Sequence, residues 1–216
     1  MLELTLGDEV GRPLTILCLG AHSDDIEIGC GATLLRLLAE HPGSTVHWVV
    51  FAAVGDRAGE ATASAQAFTT DAAEMRLTLH DFRESHFPYV EADIKAAFED
   101  LKTVQPDVIF THRHDDQHQD HSTLGRLVWN TFRNHLIAAF EIPKYEGDLG
   151  RPNVYVPVTA AVAARKVELL LEHFGSQRAK SWFRASTFEG LMALRAVECN
   201  APEGFAEAFH CRKIVL

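Results

Sequence analysis

The 216-residue chain lacks the features of several protein classes. No segment approaches the ~20 apolar residues that a bilayer-spanning helix needs; the longest candidate, Val158 to Ala164, is far too short. Positive charge is scarce, with 20 Lys and Arg against 30 Asp and Glu, a formal net charge of −10. That balance excludes a broad phosphate-backbone footprint and so argues against nucleic acid as a partner. A local basic pocket for an anionic small molecule stays compatible with it. The four cysteines form no CxxC pair, so a disulfide framework is not expected, and Cys18 reads as a small core residue. Met1 to Asp8 carries acid where a signal peptide carries base, which makes a cytoplasmic location the expectation. Repeats, low-complexity tracts and linker-like breaks are missing too, which predicts a single domain over residues 1–216.

Strand-like and helix-like segments alternate along the chain. Thr15 to Gly20 is a continuous apolar run of the kind buried on both faces of a sheet, followed by a leucine-rich helical stretch over Ile28 to Glu40. Val46 to Val54 reads as a second strand, Ala61 to Leu77 as a helix, Ile94 to Leu101 as a short helix and Val108 to Thr111 as a third strand. Helical spacing returns over Ser122 to Phe140. A loop over Pro143 to Pro152, a strand at Val154 to Val156, a helix over Ala161 to Phe174 and a strand-like tail at Lys213 to Leu216 complete the pattern. Alternation of this kind predicts an α/β, Rossmann-like three-layer fold with a mainly parallel sheet flanked by helices. Ligands in such sheets collect at the carboxyl ends of strands.

Two polar clusters follow buried strands directly. The first is Ala21-His22-Ser23-Asp24-Asp25, at a strand-to-helix turn where the helix dipole favours carboxylates. Capping by Asp24, with Glu27 closing a capping box, would explain those two acids and leave His22 and Asp25 unexplained. The second runs from His112 to His121 and holds four of the chain's twelve histidines, at 112, 114, 118 and 121. It is too polar for core and too rich in histidine for an ordinary solvated loop. If the two preceding strands are neighbours, the clusters share one crevice. They then offer His22, one aspartate and one distal histidine: two nitrogens and a carboxylate, suited to catalytic zinc or to ferrous iron. A leftover acid and a leftover histidine favour hydrolysis by an activated water.

Residues 21–33, AHSDDIEIGCGAT, resemble the AHPDD…GxGG/AT signature of the LmbE-like (PIG-L) deacetylases, and His118-Gln119-Asp120-His121 resembles their second motif, HPDH. Smaller echoes occur at Ser176-Gln177 and over Gly204 to Phe209. Ser23 and Gln119 replace prolines of the pattern, and Ile26 stands where many members carry glutamate. The resemblance implies a metal site of His22, Asp25 and His121, with Zn2+ as the ion and Fe2+ as the alternative. It implies Asp24 as general base, His118 as the group facing the oxyanion, and Asp120 as the acid that orients His118 and favours its protonated form. The implied reaction is deacetylation of a small N-acylated amino sugar such as an N-acetylglucosamine derivative. An amidase acting on another amide and a silent metal- or sugar-binding module are the alternatives. A homo-oligomer is compatible with the sequence; a membrane partner is not expected.

Several residues have weaker claims. Arg57 either reaches the crevice or pairs locally with Asp56 or Glu60. Lys144 and Tyr145 form a substrate lip or are solvated. Ser176 caps a following helix, and Glu207 either points inward to anchor the site or is an edge-strand charge. His112 and His114 are expected around the site or in solvent.

Overall fold

The computed structural model describes Leu6 and residues 11–214. Its sheet has seven strands in the order β3-β2-β1-β4-β5-β7-β6. The strands are β1 (Thr15–His22), β2 (Thr45–Ala52), β3 (Glu74–Leu79), β4 (Val108–His112), β5 (Leu136–Phe140), β6 (Val154–Val158) and β7 (Phe205–His210). Strands β3 to β5 run parallel, while β7 lies antiparallel between β5 and β6. The helices are α1 (Asp25–Glu40), α2 (Asp56–Phe68), α3 (Glu91–Leu101), α4 (Gln119–Thr131), α5 (Ala160–His173) and α6 (Ala185–Cys199).

Side chains alternate across a strand, so each apolar strand feeds two cores. Ile16, Cys18, Val46, Trp48 and Val50 join one buried cluster with residues of α1 and α5. Leu17, Leu19, Val49 and Phe51 join the other, with residues of α3 and α4. Three layers result, as the alternation of elements predicts. No helix among the described residues is long and apolar enough to cross a membrane.

Two predicted helices are each a helix followed by a strand. α2 stops at Phe68, and Glu74–Leu79 pairs parallel with β2, placing Met75, Leu77 and Leu79 alternately between Glu74, Arg76 and Thr78. α4 stops at Thr131, and Leu136–Phe140 pairs with β4. In both cases the sheet's demand for a neighbouring strand overrides a helical pattern of apolar spacing. α6 adds a helix that the sequence reading omits. The last strand is Phe205–His210; Lys213 and Ile214 are irregular, and Val215 and Leu216 lie outside the described residues.

Candidate metal centre

β1 and β4 pair side by side, in register from Ile16 with Val108 to Cys18 with Phe110. Both polar clusters therefore leave the same edge of the sheet, where strand order switches direction and α/β folds bind ligands. His22 is the last residue of β1, and Asp25 opens α1. His118 caps α4, with its Nδ1 accepting from the Asp120 N–H at 3.3 Å, and His121 lies in the first turn. Gly125 lets α4 seat closely: a Cβ there would lie 2.6 Å from the carbonyl carbon and oxygen of Arg113.

Three donors converge. His22 Nδ1 lies 3.2 Å from His121 Nε2 and 3.4 Å from Asp25 Oδ2, and Asp25 Oδ1 lies 3.5 Å from His121 Nε2. Metal–ligand bonds of ~2.0–2.1 Å in a tetrahedron put ligand atoms ~3.3–3.4 Å apart, so each of these pairs is spaced as two ligands of a zinc-sized ion, with Asp25 turning Oδ2 to His22 and Oδ1 to His121. Among the described residues, the sets of three whose donor atoms lie within 4.8 Å of one another are His22 with His118 and His121, and Asp25 with His112 and His121, which share His121. Burial and the neighbouring His112 bring His121 down to about 3, leaving an uncharged imidazole with a lone pair to give. Burial would raise the Asp25 pKa, but His121, His112 and His22 hold it well below the carboxylate range. Burial works against charge on His22, yet Asp25 and Asp120 push it up to about 10. The same acids would favour a metal cation there.

Each of the two candidate histidine ligands has a carboxylate behind it, the arrangement that fixes tautomer and ring orientation in metal sites. His121 Nδ1 lies 3.2 Å from Asp116 Oδ2, and His22 Nε2 lies 3.1 Å from Asp120 Oδ2. The second contact corrects the expected role of Asp120. Its carboxylate accepts from Ser85 N–H at 2.6 Å and Phe87 N–H at 3.1 Å and faces His22; its backbone N–H, rather than its carboxylate, reaches His118. Asp120 still acts to raise the His118 pKa, as expected, but burial and the charge of His22 outweigh it and leave the pKa lowered. His112 is fully buried, stacks on His121 at 3.9 Å, and its Nε2 accepts from Ala21 N–H and lies 3.1 Å from Asp25 Oδ2. His114 is exposed.

Lys144 is no lip: its ammonium is buried 3.1 Å from Asp116 Oδ2 and 2.5 Å from Asp148 Oδ1, with Asp116 in turn 3.2 Å from His121 Nδ1. Tyr145 is 73% exposed and lies 3.5 Å from the Ser181 hydroxyl, which leaves it on the surface. Arg57 does reach the crevice, donating to Asp24 Oδ1 at 3.3 Å and Glu84 Oε2 at 2.9 Å. It lines a cleft of about 380 Å3 with Val54, Phe82 and Arg83. Asp24 is buried, and burial and the charge of Asp25 raise its pKa, opposed by Arg57 and His22. The capping box does not form. Asp24 makes no side-chain cap bond, and Glu27 is fully buried with neither carboxylate oxygen partnered among the described residues. Ser176 binds Glu60 through its N–H and hydroxyl, tying the turn after α5 to α2.

The family model for PIG-L, GlcNAc-PI de-N-acetylase, matches residues 17–132, more than half of the chain and both polar clusters. The chain belongs to this family. None of the curated protein sequences matches it. Among solved structures it is similar to GalB, the 4-carboxy-2-hydroxymuconate hydratase of Pseudomonas putida, with TM-score 0.75, 15% identity and coverage of 94% of this chain and 98% of that one. The N,N'-diacetylchitobiose deacetylase of Pyrococcus horikoshii gives TM-score 0.66 and 16% identity, covering 94% of this chain and 84% of that one. The zinc-inhibited form of the teicoplanin deacetylase Orf2 gives TM-score 0.69 and 14% identity, covering 91% and 97%. At such identities the likeness is one of fold.

Proposed function

We propose that this protein is a metal-dependent hydrolase that removes an acetyl or other acyl group from a small N-acylated amino sugar, such as an N-acetylglucosamine derivative. The observation that carries the reading is the convergence of His22, Asp25 and His121 at 3.2–3.5 Å beside Asp24, a buried carboxylate not needed as a ligand. A divalent ion held by the three ligands, zinc or ferrous iron, would supply Lewis acidity and bring the pKa of water towards ~7. Asp24 takes the proton of the attacking water; burial and the charge of Asp25 raise its pKa, the direction that helps a carboxylate accept that proton. Arg57 steadies Asp24 and faces the cleft that would receive the sugar.

His118 acts as a neutral donor. Its Nδ1 accepts the Asp120 N–H, so the ring proton resides on Nε2 and serves the oxygen on which charge develops. The departing amine then receives the proton carried by Asp24.

Because a muconate hydratase shares this fold, the fold does not choose between water attacking an acyl carbon and water adding to a double bond. The test is amine release from N-acetylglucosamine derivatives by purified protein, after chelation and after addition of Zn2+ or Fe2+, alongside Asp24→Asn. Release that disappears on chelation, returns with metal and falls at least ~10²-fold in the variant supports the reading. Metal binding without amine release, with turnover of an unsaturated carboxylic acid, would replace it with hydration. A protein that binds no metal would refute both. An intracellular location, a substrate without nucleic acid or membrane, and a homo-oligomer are parts of the same proposal, read by fractionation and by mass in solution.

A further inference from the structure

Beyond the matched residues 17–132, a buried ion pair reaches into the helix that carries the acids of the site. Lys166 of α5 and Glu207 of β7 lie 2.5 Å apart, each with a side chain 3% exposed. Lys166 Nζ donates to the Ile28 carbonyl at 2.6 Å. Glu207 accepts from the Ala32 N–H at 3.1 Å through Oε1 and from the Thr33 N–H at 2.7 Å through Oε2. In a regular α-helix the Ile28 carbonyl and the Ala32 N–H are partners of each other. Here the ammonium serves the carbonyl and the carboxylate serves the N–H groups. Each charge thus meets the end of the peptide dipole that it complements.

We infer that Glu207 and Lys166 are positioning residues for Asp24 and Asp25. They grip α1 where its first turn ends and hold that turn from behind. Asp24 and Asp25 sit at the front of the turn, and Ile28, whose carbonyl Lys166 holds, closes it. Ile28 N–H bonds the Asp24 carbonyl at 3.1 Å, so a shift at Ile28 carries directly to the base. Phe140 fixes the same place sideways: a Cβ on Gly29 would lie 2.4 Å from its ring. The inference rests on the hydrolase reading for what the placement serves.

An apolar pair separates positioning from simple stability. Replacing a buried ion pair by apolar residues of similar volume is often neutral or stabilising. Lys166→Met with Glu207→Leu should therefore keep the melting temperature close to that of the wild type. The expected result is kcat down ~10-fold to ~10²-fold with KM little changed, and weaker Zn2+ retention against a chromophoric chelator. A folded double variant with wild-type kcat and Zn2+ affinity would overturn the inference. Should the pair fail to fold, Glu207→Gln is read the same way: loss of kcat and of Zn2+ affinity at unchanged KM supports positioning, and wild-type values in both overturn it. A wild-type protein that binds Zn2+ but releases no amine would defeat only the hydrolase reading. Zn2+ affinity of the variants then decides the inference by itself.

Discussion

Asp120→Asn tests whether Asp120 serves His22. The carboxylate is fully buried and accepts from Ser85 N–H and faces His22 Nε2 through Oδ2, while Oδ1 accepts from Phe87 N–H. Asparagine offers one acceptor oxygen and one amide group that only donates. With its oxygen in the Oδ2 place, the amide meets the Phe87 N–H, donor against donor. With its oxygen in the Oδ1 place, the amide meets Ser85 N–H and forces His22 to accept at Nε2. The proton of a neutral ring then moves to Nδ1, the atom that faces Asp25 and His121. Either orientation leaves a buried donor unsatisfied, at a cost of about 1–3 kcal/mol. For a domain of this size that lowers the melting temperature by roughly 2–10 °C. Loss of the carboxylate behind the ligand should weaken metal binding ~10-fold to ~100-fold. Thermal melts of metal-free protein and competition with a chromophoric chelator read the two effects separately. Unchanged Zn2+ affinity, with a shifted His118 titration by NMR, would refute the assignment and restore His118 as the group that Asp120 serves.

Three further tests address other parts of the structure. Burial, and secondarily the charges of Asp24 and Asp25, raise the Glu27 pKa well above the usual range. The native state therefore holds a proton that the unfolded chain releases, and native stability falls as pH climbs above the ordinary carboxyl range. In metal-free protein, Glu27→Gln should gain on wild type as pH rises above the ordinary carboxyl range, by up to ~1.4 kcal/mol per pH unit; urea titrations showing a pH-independent difference would contradict this. Gly125→Ala should cost about 1–3 kcal/mol, because its Cβ would press on the Arg113 backbone, whereas Gly190→Ala, in α6 with open space around it, should stabilise by up to ~1 kcal/mol. Equal effects in thermal melts would count against the close seating of α4. Lys144→Met leaves Asp116 and Asp148 without their buried cation and should cost about 3 kcal/mol, while Tyr145→Ala should change stability by less than ~0.5 kcal/mol. A stable Lys144 variant with raised KM would return that residue to the substrate lip.

Legibility from sequence followed the distance over which each interaction is encoded. The parallel sheet and the meeting of the two clusters were readable because Thr15–Gly20 and Val108–Thr111 are apolar runs that end directly in the polar segments. β3 and β5 were not, since Phe68, Ala72, Met75 and Leu79 fit a helical stripe, as do Leu124, Leu127, Val128, Phe132, Leu136 and Ala139, until β2 and β4 supply strand partners. Within the site, the candidate metal ligands follow local spacing, and the residues behind them do not. Asp120 stands two residues from His118 in sequence, yet its carboxylate turns to His22, 98 positions away, because Ser85 and Phe87 present N–H groups on that side. Lys144 looks like a loop charge until Asp116 and Asp148 enclose it. Glu207 shows the same rule from the other end: the sequence leaves an inward anchor and an edge-strand charge equally open, and beside Lys166 its partners are the N–H groups of Ala32 and Thr33, backbone groups without a side-chain signal. Spacing therefore shows what can bind a metal, while the orientation of those groups is decided by contacts between segments distant in sequence. Substitutions at Asp120, Lys144 and Glu207 thus test the three-dimensional structure more sharply than substitutions at the ligands, whose loss would follow from the motifs alone.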